Sequence, residues 1–263
     1  PVVLSAVTLN NYGGTCNMRT PPWAVPFFDS ADPPRPAARA IRTLKSIQAY
    51  GNSVERPYLH LVDGGVADNL GMRSVLDTFE VLEALSESGT PTPFDNVRRI
   101  IVFVVNSLSE PATDWDRSEE PPGTVATMLK SAGTPIDRNS FENVEQLRDT
   151  AARWRTMRLI ANSKAMAANT DPAVAKAVRV PKAEIYAIDV SFAALADKKE
   201  FAYLNQQPTS FVLPPEAVDR LRAAAGTIIA TAPEFQRLLK DLDAKVVADP
   251  KQSGTDTMAS TTR

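Results

Sequence analysis

The apolar positions of this chain change period along its length, and the changes mark out its elements. From residue 37 to about residue 50, Ala38, Ile41, Leu44 and Ile47 recur at helical spacing while Arg39 and Arg42 lie off that stripe, which predicts a helix ending near Gly51. Residues 2–9 and 58–62 are β-rich runs that predict strands. The second run ends at Asp63-Gly64-Gly65, and Asp68 or Asn69, both good N-cap residues, predicts a helix start just beyond it. Ile100 to Val105 is apolar at every position, the pattern of a central parallel strand covered on both faces, here residues 99–106. Phe141, Val144, Leu147, Ala151, Trp154, Met157 and Ile160 predict a long amphipathic helix, and residues 184–190 a further strand. Pro214-Pro215-Glu216 and Pro233-Glu234 open two more helices, the second reaching about Val247.

Between these elements, Pro21, Pro22, Pro26, Pro33, Pro34 and Pro36 predict a long surface loop, and residues 109–123, acidic and proline-rich, predict another. Residues 248–263 are rich in Ser, Thr and Gly without periodicity and predict a disordered tail after one domain spanning 1–247. Strands separated by helices predict an α/β fold with a mostly parallel sheet flanked by helices, the C-terminal third being helical decoration.

Composition removes several function classes. Lys and Arg total 29 against 31 Asp and Glu, so no global basic field exists and nucleic acid is excluded as the main partner. Cys16 is the single cysteine and His60 the single histidine, which rules out an intramolecular disulfide and a Cys/His zinc site. Any catalytic triad inside this chain must run through His60. The densest apolar run, Ile100 to Val105, is far shorter than the roughly 18 residues of a membrane span, so no transmembrane segment is expected here. The chain opens at Pro1 directly into strand-like sequence, which leads us to expect a fragment whose targeting signal lies upstream.

The residues that point to chemistry are Leu61-Val62-Asp63-Gly64-Gly65-Val66-Ala67-Asp68-Asn69-Leu70-Gly71. An acidic residue at the C-terminal end of a strand sits where open α/β sheets place their ligands. Gly64 and Gly65 leave its carboxylate open to close approach and permit backbone angles closed to other residues. The competing reading makes Asp63-Gly64 a turn and Asp68 or Asn69 a helix cap. Strand alternation puts His60 on the face opposite Asp63, so His60 reads as a hydrogen-bonded structural residue. Asp63, Asp68 and Asn69 do not have calcium-loop spacing, and no metal site is predicted. Arg148, Arg153, Arg155, Arg158 and Lys164 form a basic run that either touches anionic lipid headgroups or is a solvated face with Asp149 pairing to Arg153. Trp23, Phe27 and Phe28 are a second lipid-facing candidate, or cover the edge of the core.

Asp63-Gly64-Gly65 followed by Val66-Ala67-Asp68-Asn69-Leu70-Gly71 resembles the Asp-Gly-Gly/Ala motif of bacterial patatin-like phospholipases. Val7-Thr8-Leu9 with Tyr12-Gly13-Gly14-Thr15-Cys16, and Tyr203-Leu204-Asn205 with Pro208-Thr209-Ser210-Phe211, are similar to flanking parts of that family, so the resemblance spans about residues 1–245. It implies a three-layer α/β/α fold, incomplete on its N-terminal side. It also implies a lipid acyl hydrolase acting on carboxylic esters through a Ser-Asp dyad, with Asp63 as the base, Gly64 and Gly65 in support, and no metal or organic cofactor. Peripheral association with a membrane or the cell envelope follows from such a substrate.

Two family parts are missing. The nearest string to a Gly-x-Ser-x-Gly nucleophile elbow, Gly51-Asn52-Ser53-Val54-Glu55, has Glu55 in place of glycine and follows a helix, which excludes Ser53 as the nucleophile. Gly13-Gly14 is too short for the oxyanion loop. The nucleophile is therefore expected outside this chain, and the chain alone is expected to be inactive. Burial or a neighbouring negative charge, with Asp68 as one candidate neighbour, is expected to make Asp63 a stronger base. A non-catalytic α/β lipid-binding or interaction module, with Asp63 only a turn residue, is the alternative.

Overall fold

The computed structural model describes residues 6–15, 19–22, 24–28, 38–107, 115–117, 119–208, 210 and 212–246. In chain order the elements are β1 (Val7–Asn10), α1 (Val25–Phe28), α2 (Ala38–Tyr50), β2 (Tyr58–Leu61), α3 (Gly65–Asp68), α4 (Met72–Ser88), β3 (Arg99–Asn106) and α5 (Thr124–Ala161). They continue with α6 (Lys164–Ala167), α7 (Pro172–Ala177), β4 (Glu184–Ser191), α8 (Lys198–Asn205), α9 (Pro215–Thr231) and α10 (Pro233–Asp241). The fold is mixed α/β. The proposed tail, 248–263, lies outside the described residues.

Among the described residues the strands form two small sheets. β3 and β4 run parallel, Arg99 opposite Glu184 through Asn106 opposite Ser191. β1 and β2 are antiparallel, Val7 opposite Leu61 through Asn10 opposite Tyr58. Among the described residues the expected parallel arrangement is thus confined to β3–β4. At β1–β2 the chain returns through α2, and Asn11 pins the return by donating its side-chain amide to the carbonyls of Tyr50 (2.9 Å) and Arg56 (2.7 Å). Those bonds bring the end of β1 beside the start of β2, the geometry of an antiparallel pair.

β4 is covered on both faces. Its Ile185 and Ala187 join Val104 of β3 in a core closed by Leu76, Phe79 and Leu82 of α4 and by Val144, Leu147, Ala151 and Trp154 of α5. Burying each such large side chain contributes about 1.5–3 kcal/mol. Its Ile188 and Val190 point the other way and pack with Leu195, Leu204 of α8 and Ala224 and Ile228 of α9. The C-terminal helices therefore form the second packing layer of β4, and the reading of them as decoration is corrected. Their caps fit this role: Pro214 and Ala232 precede Pro215 and Pro233, which begin α9 and α10. α10 stops at Asp241, short of the expected Val247, because Asp243 turns left-handed at φ 50 and the N–H groups of Asp243 and Ala244 close back on Lys240 and Leu239.

A charged group lies buried beside the first core. Glu83 is only 5% exposed, and its carboxylate accepts from Trp154 Nε1 and sits 2.5 Å from Arg153 Nη1. A buried charge without such partners would cost several kcal/mol, so this pairing makes the site tolerable. The Phe79 ring lies against Trp154 with centroids 5.4 Å apart.

β3 departs from its apolar sequence. Val104 is 3% exposed but Val105 is 68%, and Ile101 and Phe103 are exposed on the same side as Val105. The expected cover on both faces is corrected: α9 and α10 pack on β4, and α10 meets this side of β3 through the Phe235 ring, 6.3 Å from that of Phe103, and through the Asp241 carbonyl, which accepts from Arg99. Among the described residues β3 pairs with β4 alone, so it is an edge strand and not the expected central one. α5 begins at Thr124, well before the predicted stripe, and continues through Pro135; Phe141 and Ile160 at the ends of that stripe are exposed.

One-sided burial gives a direct test in the isolated chain. Val104→Thr places a hydroxyl in the core and should cost about 1–3 kcal/mol, whereas Val105→Thr should stay within about 0.5 kcal/mol of wild type. Urea unfolding of the two variants measures the difference.

Candidate active site around Asp63

β2 carries the chain to the candidate base. Its His60 faces Thr8 in direct register, with Nδ1 2.9 Å from the Thr8 hydroxyl, so the single histidine is held in a cross-strand hydrogen bond. Pairing ends at Leu61, and Asp63 follows two residues later. Asp63 Oδ1 accepts from the Gly65 backbone N–H at 2.8 Å, an Asx turn that starts α3. Oδ2 has no hydrogen-bond partner among the described residues, and the carboxylate is exposed. The expected burial of Asp63 is absent because no element among the described residues packs over the turn.

The two glycines differ. Both have ordinary negative or non-left-handed backbone angles, so the expected need for unusual angles is corrected. A Cβ on Gly64 would meet nothing within 4 Å, while one on Gly65 would lie 3.2 Å from Asp63 Oδ1 and 3.0 Å from Asn69 Oδ1. Close approach to the carboxylate thus depends on Gly65, and Gly64 faces open space. Within residues 61–71 the glycine that does use left-handed freedom is Gly71, at φ 65, immediately before α4.

Asp68 is committed elsewhere. Its Oδ1 accepts from Met72 N and its Oδ2 from Arg73 N, both at 2.9 Å, which satisfies two of the free N–H groups at the start of α4. The capping reading holds, although the helix begins at Met72 because α3 and the Gly71 turn intervene. The alternative in which Asp68 acts as the negative neighbour of Asp63 has no contact to support it. Among the described residues no group of three or more His, Cys, Asp and Glu gathers as metal ligands.

Asn139 belongs to this region and had no signal in the sequence. Its side-chain amide donates to the Ala67 carbonyl at 2.6 Å and ties α3 to the middle of α5. The loop bearing Asp63 is thereby anchored to the longest helix of the protein. Gly13 and Gly14 lie against the end of α2, where a Cβ on Gly13 would come within 2.3 Å of the Tyr50 carbonyl, and Ser53 sits in the turn between α2 and β2. Both placements are structural.

The basic run of α5 is spent internally. Arg148 reaches Glu145 (2.5 Å) and Asp189 (3.2 Å), Arg153 reaches Glu83, and Arg155 and Arg158 both reach Glu184. The expected Asp149–Arg153 pair is replaced by Arg153–Glu83, since Glu83 is a buried carboxylate in need of a cation. Burial raises the pKa of Asp189, with Arg148 opposing. Lys164 lies beyond the end of α5, on α6. Of the aromatic loop candidates, Phe28 is half-buried with Lys45 Nζ 5.8 Å above its ring, and Trp23 and the Phe27 side chain lie outside the described residues.

Comparison of the chain with protein-family models, curated proteins and solved structures finds no match. No helix among the described residues is long and apolar enough to cross a membrane.

The division of labour in this loop predicts stability effects. Asp68→Ala should cost about 1 kcal/mol through loss of the cap, and Gly64→Ala should leave the isolated chain within about 0.5 kcal/mol of wild type. Thermal melts followed by circular dichroism compare them; a large loss at Gly64 would mean that its surroundings are filled.

Proposed function

We propose that this chain is the base-bearing part of a patatin-like serine acyl hydrolase that cleaves carboxylic esters of lipids. The observation that carries the reading is the state of Asp63: one oxygen fixed by the Gly65 N–H, the other unengaged, next to the empty space at Gly64. A carboxylate held this way has a defined orientation and one lone-pair face left for a proton. In the proposed chemistry a serine Oγ from outside this chain forms a bond to the ester carbonyl carbon while its proton passes to Asp63 Oδ2. Collapse of the tetrahedral adduct breaks the carbon–oxygen bond of the leaving alcohol, which takes that proton. Water then attacks the acyl-enzyme, with Asp63 again accepting a proton, and the serine leaves reprotonated.

The exposed apolar surface supports the same reading. Val7, Leu9 and Leu61 on β1–β2 and Ile101, Phe103 and Val105 on β3 are large hydrophobic side chains left in water. β3 also has an edge unpaired among the described residues. Such a surface suits further strands and covering helices, and the three-layer architecture belongs to this proposal. Peripheral contact with a membrane or the cell envelope, where the ester substrate resides, belongs to it as well.

The second reading is favoured by one observation. The Asp63–Gly65 bond is what a turn residue makes without catalysis, and it fits a lipid-binding or interaction module.

Kinetics of the complete protein separate the two. Asp63→Asn should lower kcat by at least about 10²-fold with an unchanged melting temperature. His60→Gln should lose far less, because His60 is turned to Thr8. Asp68→Asn should be mild. Residues 1–263 alone should hydrolyse p-nitrophenyl esters no faster than background. Equal loss at His60 and Asp63 would overturn the dyad, and full activity of Asp63→Asn would leave the turn reading.

A further inference from the structure

The N-terminal ends of β3 and β4 carry an uneven charge. Arg98 and Arg99 lead into β3, and Glu184 opens β4 directly across from Arg99. Glu184 is the shared acceptor of three guanidiniums: Arg155 at 2.9 Å, Arg237 at 2.8 Å, and Arg158. Arg237 also reaches Glu234 at 2.7 Å and Asp241 at 3.6 Å, and its guanidinium stacks 4.0 Å from the centre of the Tyr186 ring. The buried Tyr186 donates its hydroxyl to Asp241 at 2.6 Å, and burial followed by that bond holds its pKa above the usual phenol value. Arg99 donates to the Asp241 backbone carbonyl at 3.1 Å, and Arg98 has no side-chain partner among the described residues.

Five guanidiniums thus face three carboxylates, leaving two positive charges uncompensated around an open cavity of about 580 Å³. Arg98, Arg99, Arg155 and Arg237 line it together with Glu184, Tyr186 and Asp241, so four guanidiniums meet two carboxylates at its wall. Clustered like charges repel, and a cleft with protein walls concentrates their field, so the arrangement favours an incoming anion. The guanidinium fork matches two phosphate oxygens at once. Arg237 spends its Nε, Nη1 and Nη2 on Glu234, Glu184 and the Ile185 carbonyl and so forms a fixed wall. Arg155 is held at Nε by Glu184 with its Nη1 uncommitted among the described residues, so little side-chain freedom is lost when Arg155 donates to a ligand.

We propose that this cavity binds a phosphate dianion, with Arg98 and Arg99 supplying the two uncompensated charges and Arg155 a fixed donor. The ligand chemistry is a phosphate or phosphomonoester, either free in solution or borne on a lipid headgroup. The site stands apart from Asp63: along α5, Arg155 lies sixteen residues from Asn139, the contact to the Asp63 loop, or about 24 Å at the helical rise. It does not rest on the acyl-hydrolase reading, because binding is measured without turnover.

The test uses residues 1–263 and two probes. Calorimetric titration with sodium phosphate at low ionic strength should give saturable binding that weakens as salt is raised. Arg98→Gln, which breaks no contact, should weaken it several-fold, and Arg98→Gln/Arg99→Gln at least about tenfold. Arg222→Gln, an equal loss of charge on the exposed face of α9, should leave it unchanged. Co-sedimentation with phosphatidylcholine vesicles, with and without phosphatidate, distinguishes the source. Phosphatidate-dependent binding that inorganic phosphate displaces assigns a lipid headgroup, and phosphate binding without vesicle binding assigns a soluble ligand. Absence of phosphate binding, or equal weakening by Arg222→Gln and Arg98→Gln, overturns the proposal. Melting temperatures of all variants confirm that each is folded.

Discussion

β4 is the element on which the rest depends. Its residues alternate between two cores, Ile185 and Ala187 toward α4 and α5, Ile188 and Val190 toward α8 and α9. A strand buried on both sides has no solvent face to relax into, so both helical layers are fixed in position relative to one strand. Glu184 extends that control to its first residue, where one carboxylate gathers arginines from α5 and α10. Packing along the strand and ion pairing at its end thus both locate α5, and the ion pairs add α10.

The candidate catalytic loop is tied to this frame indirectly. Asp63 leaves a short ribbon whose outer side chains are largely exposed, and what steadies the loop is Asn139 on α5 together with the Asp68 cap of α4. Asn139 reaches from α5 to the Ala67 carbonyl of α3, and Asp68 accepts from the first N–H groups of α4; α4 and α5 both pack against the β3–β4 core. The carboxylate itself stays in water with one oxygen spoken for. A carboxylate in that setting has a defined orientation, with Oδ1 on the Gly65 N–H and open space at Gly64.

Charge follows a comparable logic. Arg148, Arg153, Arg155 and Arg158 read in sequence as a basic stripe, yet in the fold each meets a carboxylate from another segment. The stripe is consumed by pairing, while surplus charge appears at Arg98 and Arg99. A chain with a net charge of -2 therefore holds a locally cationic cavity, because net charge averages over positions that folding separates.

Local patterns alone determined much of this protein. The helical stripe of α2, the β-rich runs of β2, β3 and β4, and the proline-started α9 and α10 were legible because periodicity, caps and turn residues act over a few neighbouring positions. Asp63, Gly64 and Gly65 were legible as a turn at a strand end for the same reason. The tertiary structure decided what those patterns leave open. Ile101, Phe103 and Val105 are as apolar as their alternates, and only the reach of α9 and α10 leaves them exposed. Asn139 gave no sign of its role, since its partner Ala67 lies 72 residues away. Glu83, Trp154 and Arg153 came together for a similar reason, a buried carboxylate taking its cation and donor from wherever the packed helices bring them. Periodicity encodes which face of an element is apolar, but which neighbour covers that face, and which charges meet, depends on contacts between residues far apart in the chain.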